Sequence, residues 1–277
     1  MRDRGLALRT RLEAERPKHA SIEICFSWIL RDKEIAGGVL GGGLAYRFFF
    51  WVLAITVLLA GGLGLASASG ADVAGDSRGA GMTTALASTI ANAAEQSESG
   101  RWWLVLTGIV LFLWFSYGLL RALHLVHAAA WRIAPHPLRN LPRAVGFVVA
   151  APIVLLAATG TAGWVRTHAA NPVGLLAMLA VGVGFGVVWL WVSLHLPAKD
   201  VPWTAFLPGA VFLGLGLEAL HVFTTYFLET KLANASDLYG VLGLATTALF
   251  YLFLVGRGVV WAAELNAVVW DVVSRRR

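Results

Sequence analysis

Residues 240–268 read GVLGLATTALFYLFLVGRGVVWAAELNAV, an unbroken apolar run that holds only two full charges, Arg257 and Glu264. Wound as a helix, such a run is long enough to cross ~30 Å of hydrocarbon. Five more stretches share its character: approximately 40–66, 102–126, 144–164, 173–196 and 203–227. Together they predict an all-α, polytopic membrane protein with six transmembrane helices. The composition agrees, because 58% hydrophobic content with 14% charged residues and 12 Trp in 277 residues would expose too much apolar surface to water.

The domain reading has three parts. Residues 1–35 are a basic N-terminal segment, 36–270 the transmembrane domain, and 271–277 a basic tail. Within the first part Ile22, Cys25, Phe26, Ile29 and Leu30 recur at i, i+3, i+4, i+7 and i+8, which predicts an amphipathic helix in the membrane interface. Met82, Leu86, Thr89, Ile90 and Ala93 predict a second, short amphipathic helix outside the membrane. Gly182 and Gly186, four apart, read as a place where two helices approach closely.

Lys and Arg set the orientation. Residues 1–35 hold eight, the 121–143 connection holds four and the chain ends Arg275-Arg276-Arg277, whereas 67–101 has only Arg78 and Arg101 against Asp72, Asp76, Glu95 and Glu98. By the positive-inside rule both termini are cytoplasmic. The same placement explains the net charge of +6 through topology and anionic lipid, so membrane lipids are the expected partners and nucleic acid is not. A single cysteine, Cys25, rules out an intramolecular disulfide.

Charges inside the apolar runs are the sharpest functional lead, since a charge there needs a partner or a polar path. Glu218, His221 and Thr225 share one face of the fifth run, and Arg257 and Glu264 share one face of the sixth. Counting helical rise puts Glu218 level with Arg257 and Arg47 level with Glu264, so the geometry allows two interhelical ion pairs, and Glu264 is expected to pair with Arg47 or Arg257. They read either as static locks or as the lining of a polar cavity. His124, His127 and His136 lack a neighbouring carboxylate or cysteine and read as interfacial polar residues, not as metal ligands. Trp102, Trp103, Trp131, Trp164, Trp203 and Trp270 read as an aromatic belt at the span ends. No phosphate-cradling GxxxxGK[ST] loop, HExxH or G-x-S-x-G occurs, so no enzyme, cofactor or metal is expected.

Gly43-Leu44-Ala45-Tyr46, Leu207-Pro208-Gly209-Ala210, Tyr239-Gly240-Val241-Leu242-Gly243 and Ala263-Glu264-Leu265-Asn266-Ala267, in this order, resemble the YihY/BrkB family of bacterial inner-membrane proteins, formerly labelled ribonuclease BN. The resemblance covers about residues 35–270. It implies six transmembrane helices with both termini inside, a place in the bacterial inner membrane and a link to envelope integrity. Where the family continues with uncharged residues and a Phe-Pro pair, this chain has Arg47-Phe48-Phe49-Phe50. The function expected is transport or translocation of a lipid or small anionic amphiphile, with Arg47, Glu218, His221, Arg257, Glu264 and Asn266 as candidate site residues. The competing expectation is a scaffold for envelope machinery. Ribonuclease activity is not expected, because no aqueous cluster of metal-binding carboxylates is present.

The topology is testable in a Cys25→Ser background. A cysteine at position 2 should be shielded from an impermeant maleimide in intact cells while one at position 76 reacts, and the reverse pattern would invert the orientation.

Overall fold

In hydrocarbon every backbone N–H and C=O must be satisfied within its own segment, and long apolar runs therefore wind into helices. The structure, a computed structural model, describes residues 19–68, 101–134, 171–223 and 229–276; the side chains at 63–64, 66–68, 101, 171–179, 221–222 and 229–244 lie outside the description. The described regular structure is entirely helical: α1 (Ala20–Glu34), α2 (Gly37–Ala68), α3 (Arg101–Trp131), α4 (Asn171–His195), a 3-10 turn (Trp203–Phe206), α5 (Leu207–Phe223) and α6 (Glu229–Arg276).

Four stretches are long and apolar enough to cross a membrane, namely Gly37–Gly62, Trp102–Ala130, Trp203–Leu220 and Ala245–Arg276, and Ala180–His195 is a shorter apolar helix. These correspond to the first, second, fifth, sixth and fourth apolar runs. The third run, 144–164, and the external amphipathic segment around 82–93 lie outside the described residues.

Helices α2 and α3 form an antiparallel pair. A Cβ at Gly108 would stand 2.8 Å from the Leu58 backbone, and about two turns further on Trp51 Nε1 donates to Ser116 Oγ at 2.9 Å. On the other flank of α2 comes α6, so close that a Cβ at Gly256 would stand 2.6 Å from the Gly41 carbonyl oxygen. Next to α6 lies α5, and against α5 lies α4, where a Cβ at Gly214 would meet Gly182 O at 2.5 Å and Gly186 N at 3.1 Å. The four-apart glycines of α4 thus serve packing within the chain. A contact between the His127 and Trp189 rings, 5.5 Å apart, returns from α4 to α3.

The best-packed core, including Leu44, Ala130, Trp131, Val260, Ala263 and Ala267, gathers at the end of the bundle where α1 lies. Outward-facing Val39, Trp102 and Trp114 stay largely exposed, as lipid-facing side chains do. Two belt and interface expectations need correction here. Trp131 and His127 are fully buried: Trp131 packs on Phe206 with ring centroids 5.7 Å apart, because the 3-10 turn folds over the end of α3. Helix α3 ends in a left-handed residue, Arg132 with φ 53°, and its last carbonyls are taken by the N–H groups of Arg132 and Ile133 in a Schellman arrangement.

Because the α2–α6 contact is backbone to backbone, Gly256→Ala should lower stability by about 1–3 kcal/mol. Gly38→Ala, whose Cβ would meet nothing within 4 Å, is the control expected to change little. Thermal unfolding of the detergent-solubilised protein checks both, and equal midpoints for the two variants would contradict the close approach.

Candidate functional site

Charges concentrate where α1 lies along the C-terminal half of α6. The predicted apolar face of α1 points away from the bundle, with Cys25, Ile29 and Leu30 exposed. Its charged face points inward. Glu23 accepts from Arg276 at 2.8 Å, Arg31 donates to Asp271 at 3.0 Å, and Asp32 receives both terminal nitrogens of Arg257 at 2.8 and 3.2 Å. Glu34 pairs in the same way with Arg132 at the end of α3.

Arg31 is only 5% exposed and has two kinds of partner: Asp271, which also receives Lys199 at 3.0 Å, and the Ala130 carbonyl near the C-terminus of α3. A cation is favoured at that end of a helix. The Glu34–Arg132 bridge is more exposed. The hydrogen bond from Arg132 holds the Glu34 carboxyl below its ordinary range. Its contribution is therefore present above the usual carboxylate range and lost as pH falls through the lowered value.

Arg257, one of the predicted site residues, is held by Asp32 of α1. Besides Asp32, its guanidinium lies 4.6 Å from the centre of the Trp261 ring. Space for it comes from α2, where a Cβ at Gly41 would stand 2.6 Å from its Cδ. Trp28 closes the neighbourhood, edge-on to Phe212 at 5.3 Å and to Trp261 at 6.2 Å. The pair allowed between Arg257 and Glu218 and the expected pair of Glu264 with an arginine do not form among the described residues, because α1 supplies Asp32 first.

Glu264 is fully buried, and neither of its oxygens has a hydrogen-bond partner among the described residues. Asp32, Arg257 and Arg31 are the charged groups that act on it. Asn266, also fully buried, uses Oδ1 to accept the Gly209 N–H at 2.6 Å. Gly209 is in the first turn of α5, so a side chain of α6 satisfies one of the orphan donors there. The segments 207–210 and 263–267 meet at this bond.

Glu218 stands apart from this network. It lines a groove of about 240 Å³ between α4 and α5, with Gly182, Gly186, Val211, Gly214 and Leu215, and both its oxygens are buried without a described partner. His221 follows on α5, but its side chain lies outside the described residues, as does Thr225. Arg47 is exposed on α2 with its guanidinium against Gly118 of α3, and has no carboxylate partner among the described residues. No group of three potential metal ligands occurs among the described residues.

Asp32, Arg31 and Asp271 were not singled out by the sequence, since the run Arg31-Asp32-Lys33-Glu34 reads as solvated. A usable signal was present. Glu23, Arg31 and Asp32 match Arg276, Asp271 and Arg257 in opposite sign and reversed order, the pattern of two antiparallel helices.

Asp32→Ala alone should cost about 3–5 kcal/mol, because it strands Arg257, whereas Asp32→Ala with Arg257→Met should recover part of that loss. A double-mutant cycle by unfolding in detergent measures the coupling, and strictly additive losses would dissolve the pair. In comparisons with known proteins, no family model, no curated protein and no solved structure matches this chain.

Proposed function

We propose that this multi-pass membrane protein moves a lipid or small amphiphile across a bacterial cytoplasmic membrane, with both termini inside, in the manner the YihY/BrkB likeness implies. The observation that carries the reading is the groove between α4 and α5. Its walls are apolar and small, its volume of about 240 Å³ suits part of an acyl chain, and Glu218 is the one charged residue among those that line it. A polar group in the lining of an apolar groove is the arrangement that fixes the orientation of an amphiphile. Intramembrane carboxylates without a partner mark polar paths more often than they mark inert packing.

The Asp32–Arg257 pair supports a different role for Arg257 from head-group capture. Both terminal nitrogens are engaged, so Arg257 fastens α1 to the bundle. That closed clamp favours the second reading, a membrane scaffold that presents the apolar outer face of α1 to envelope machinery.

Reconstitution into vesicles holding a fluorescent phospholipid, with dithionite added outside, separates the two. Transport predicts loss of the protected fluorescence with wild-type protein, slowed at least about fivefold by Val211→Trp, which fills the groove, and by Glu218→Gln. Wild-type vesicles that keep their protected fraction would leave the scaffold reading standing.

A further inference from the structure

The seam between α2 and α3 carries cations that the α1 clamp does not use. Trp114, Tyr117, Gly118 and Arg121 follow at i, i+3, i+4 and i+7 and so share one face of α3. Tyr46 and Arg47 come from the facing part of α2. Trp114, Tyr117, Arg121, Tyr46 and Arg47 are all exposed. They nevertheless fall within Gly37–Gly62 and Trp102–Ala130, the apolar spans.

The Arg47 guanidinium has a seat. Any Cβ at Gly118 would overlap its Nη1 and stand 3.4 Å from its Cζ, so the missing side chain of Gly118 is the space the guanidinium fills. Arg121 starts one turn further along α3. Long helical side chains lean toward the N-terminus of their helix, which carries Arg121 back over the turn that holds Tyr117 and Gly118. Two guanidinium groups are thus directed to one turn of α3, and neither is among the ion pairs of the described residues.

Like charges side by side in an apolar span repel each other and lack solvation, and an anion between them relieves both conditions. Guanidinium forks match phosphate oxygens in pairs, and the two phenol hydroxyls add donors. Beside them the stacked Phe50 and Phe115 rings, 5.2 Å apart, and the exposed Trp114 offer apolar surface in line with the spans. We propose that Tyr46, Arg47, Tyr117 and Arg121 form a binding site for the phosphate head group of an anionic phospholipid, with its acyl chains along Trp114 and the Phe50–Phe115 stack. The site rests on the lipid-handling reading above for its ligand class, but concerns retention and not movement.

Native mass spectrometry of the full chain in detergent, titrated separately with phosphatidylglycerol, phosphatidylcholine and inorganic phosphate, tests the site. Wild-type protein should retain phosphatidylglycerol at least about tenfold more tightly than phosphatidylcholine, a difference of one decade in dissociation constant. Arg47→Ala with Arg121→Ala should abolish the preference, Arg47→Lys with Arg121→Lys should keep part of it, and Arg275→Ala, at the far end of α6, should leave it intact. Equal retention of the two lipids by wild-type protein, or an unchanged preference in a double alanine variant of wild-type helicity, overturns the proposal. So does displacement of phosphatidylglycerol by millimolar inorganic phosphate, which would make the ligand a soluble phosphate. Phosphatidylglycerol retained by a protein that moves no lipid in vesicles supports this site and removes transport; lipid movement without any head-group preference does the opposite.

Discussion

The guanidinium of Arg31 is the interaction on which the packed end of the molecule depends. Withdrawn from solvent, it would be unfavourable without strong compensation. Compensation comes from two directions: Asp271 of α6 and the Ala130 carbonyl at the end of α3. One side chain of α1 therefore fixes the relative position of two spanning helices. Asp271 in turn holds Lys199 from the segment after α4. The 3-10 turn, Trp131 and Phe206 pack into the space these links define.

Around this point the bundle divides into two regimes. At the α1 end, charges are matched across helices and apolar side chains are deeply buried. Along the outward-facing flanks of α2 and α3, large apolar side chains remain exposed, and close approaches come from absent side chains at Gly108 and Gly256. Without a hydrophobic drive between helices in lipid, such close packing and occasional hydrogen bonds, like that of Trp51 with Ser116, hold the helices together. Arg47 belongs to the second regime, and Glu218 to the groove between α4 and α5. Their position on grooves and seams makes them candidates for ligand contact, and the clamped Arg257 is a candidate for structure.

Much of the helical architecture was legible because apolar runs of spanning length have one solution in a bilayer. Gly182 and Gly186 also announced a close contact, and the structure supplies its partner in Gly214. The pairing of charges was not legible to the same degree. Counting rise along each run assigns depth but not azimuth, so it set Arg257 level with Glu218 without knowing that α1 folds back beside α6. Asp32 looked solvated because its sequence neighbours are charged, although alternate residues of a helix face different surroundings. Trp131 and His127 were read as interfacial from their place near a span end; the 3-10 turn that covers Trp131 has no strong signal of its own, and Trp189 of α4 meets His127 from a distant part of the chain. Asn266 was a candidate through its motif; its bond to the Gly209 N–H could not be deduced until α5 and α6 were seen to cross there.

The three links between α1 and α6 join residues 253, 240 and 225 positions apart in the chain. Helix α1 leaves the ribosome before α2 to α5, and its partners in α6 leave after them. During synthesis Glu23, Arg31 and Asp32 are therefore without these partners until α6 follows. Their closure marks the docking of α6 against α1. A chain stopped before Arg257 would leave Glu23, Arg31 and Asp32 without their α6 partners.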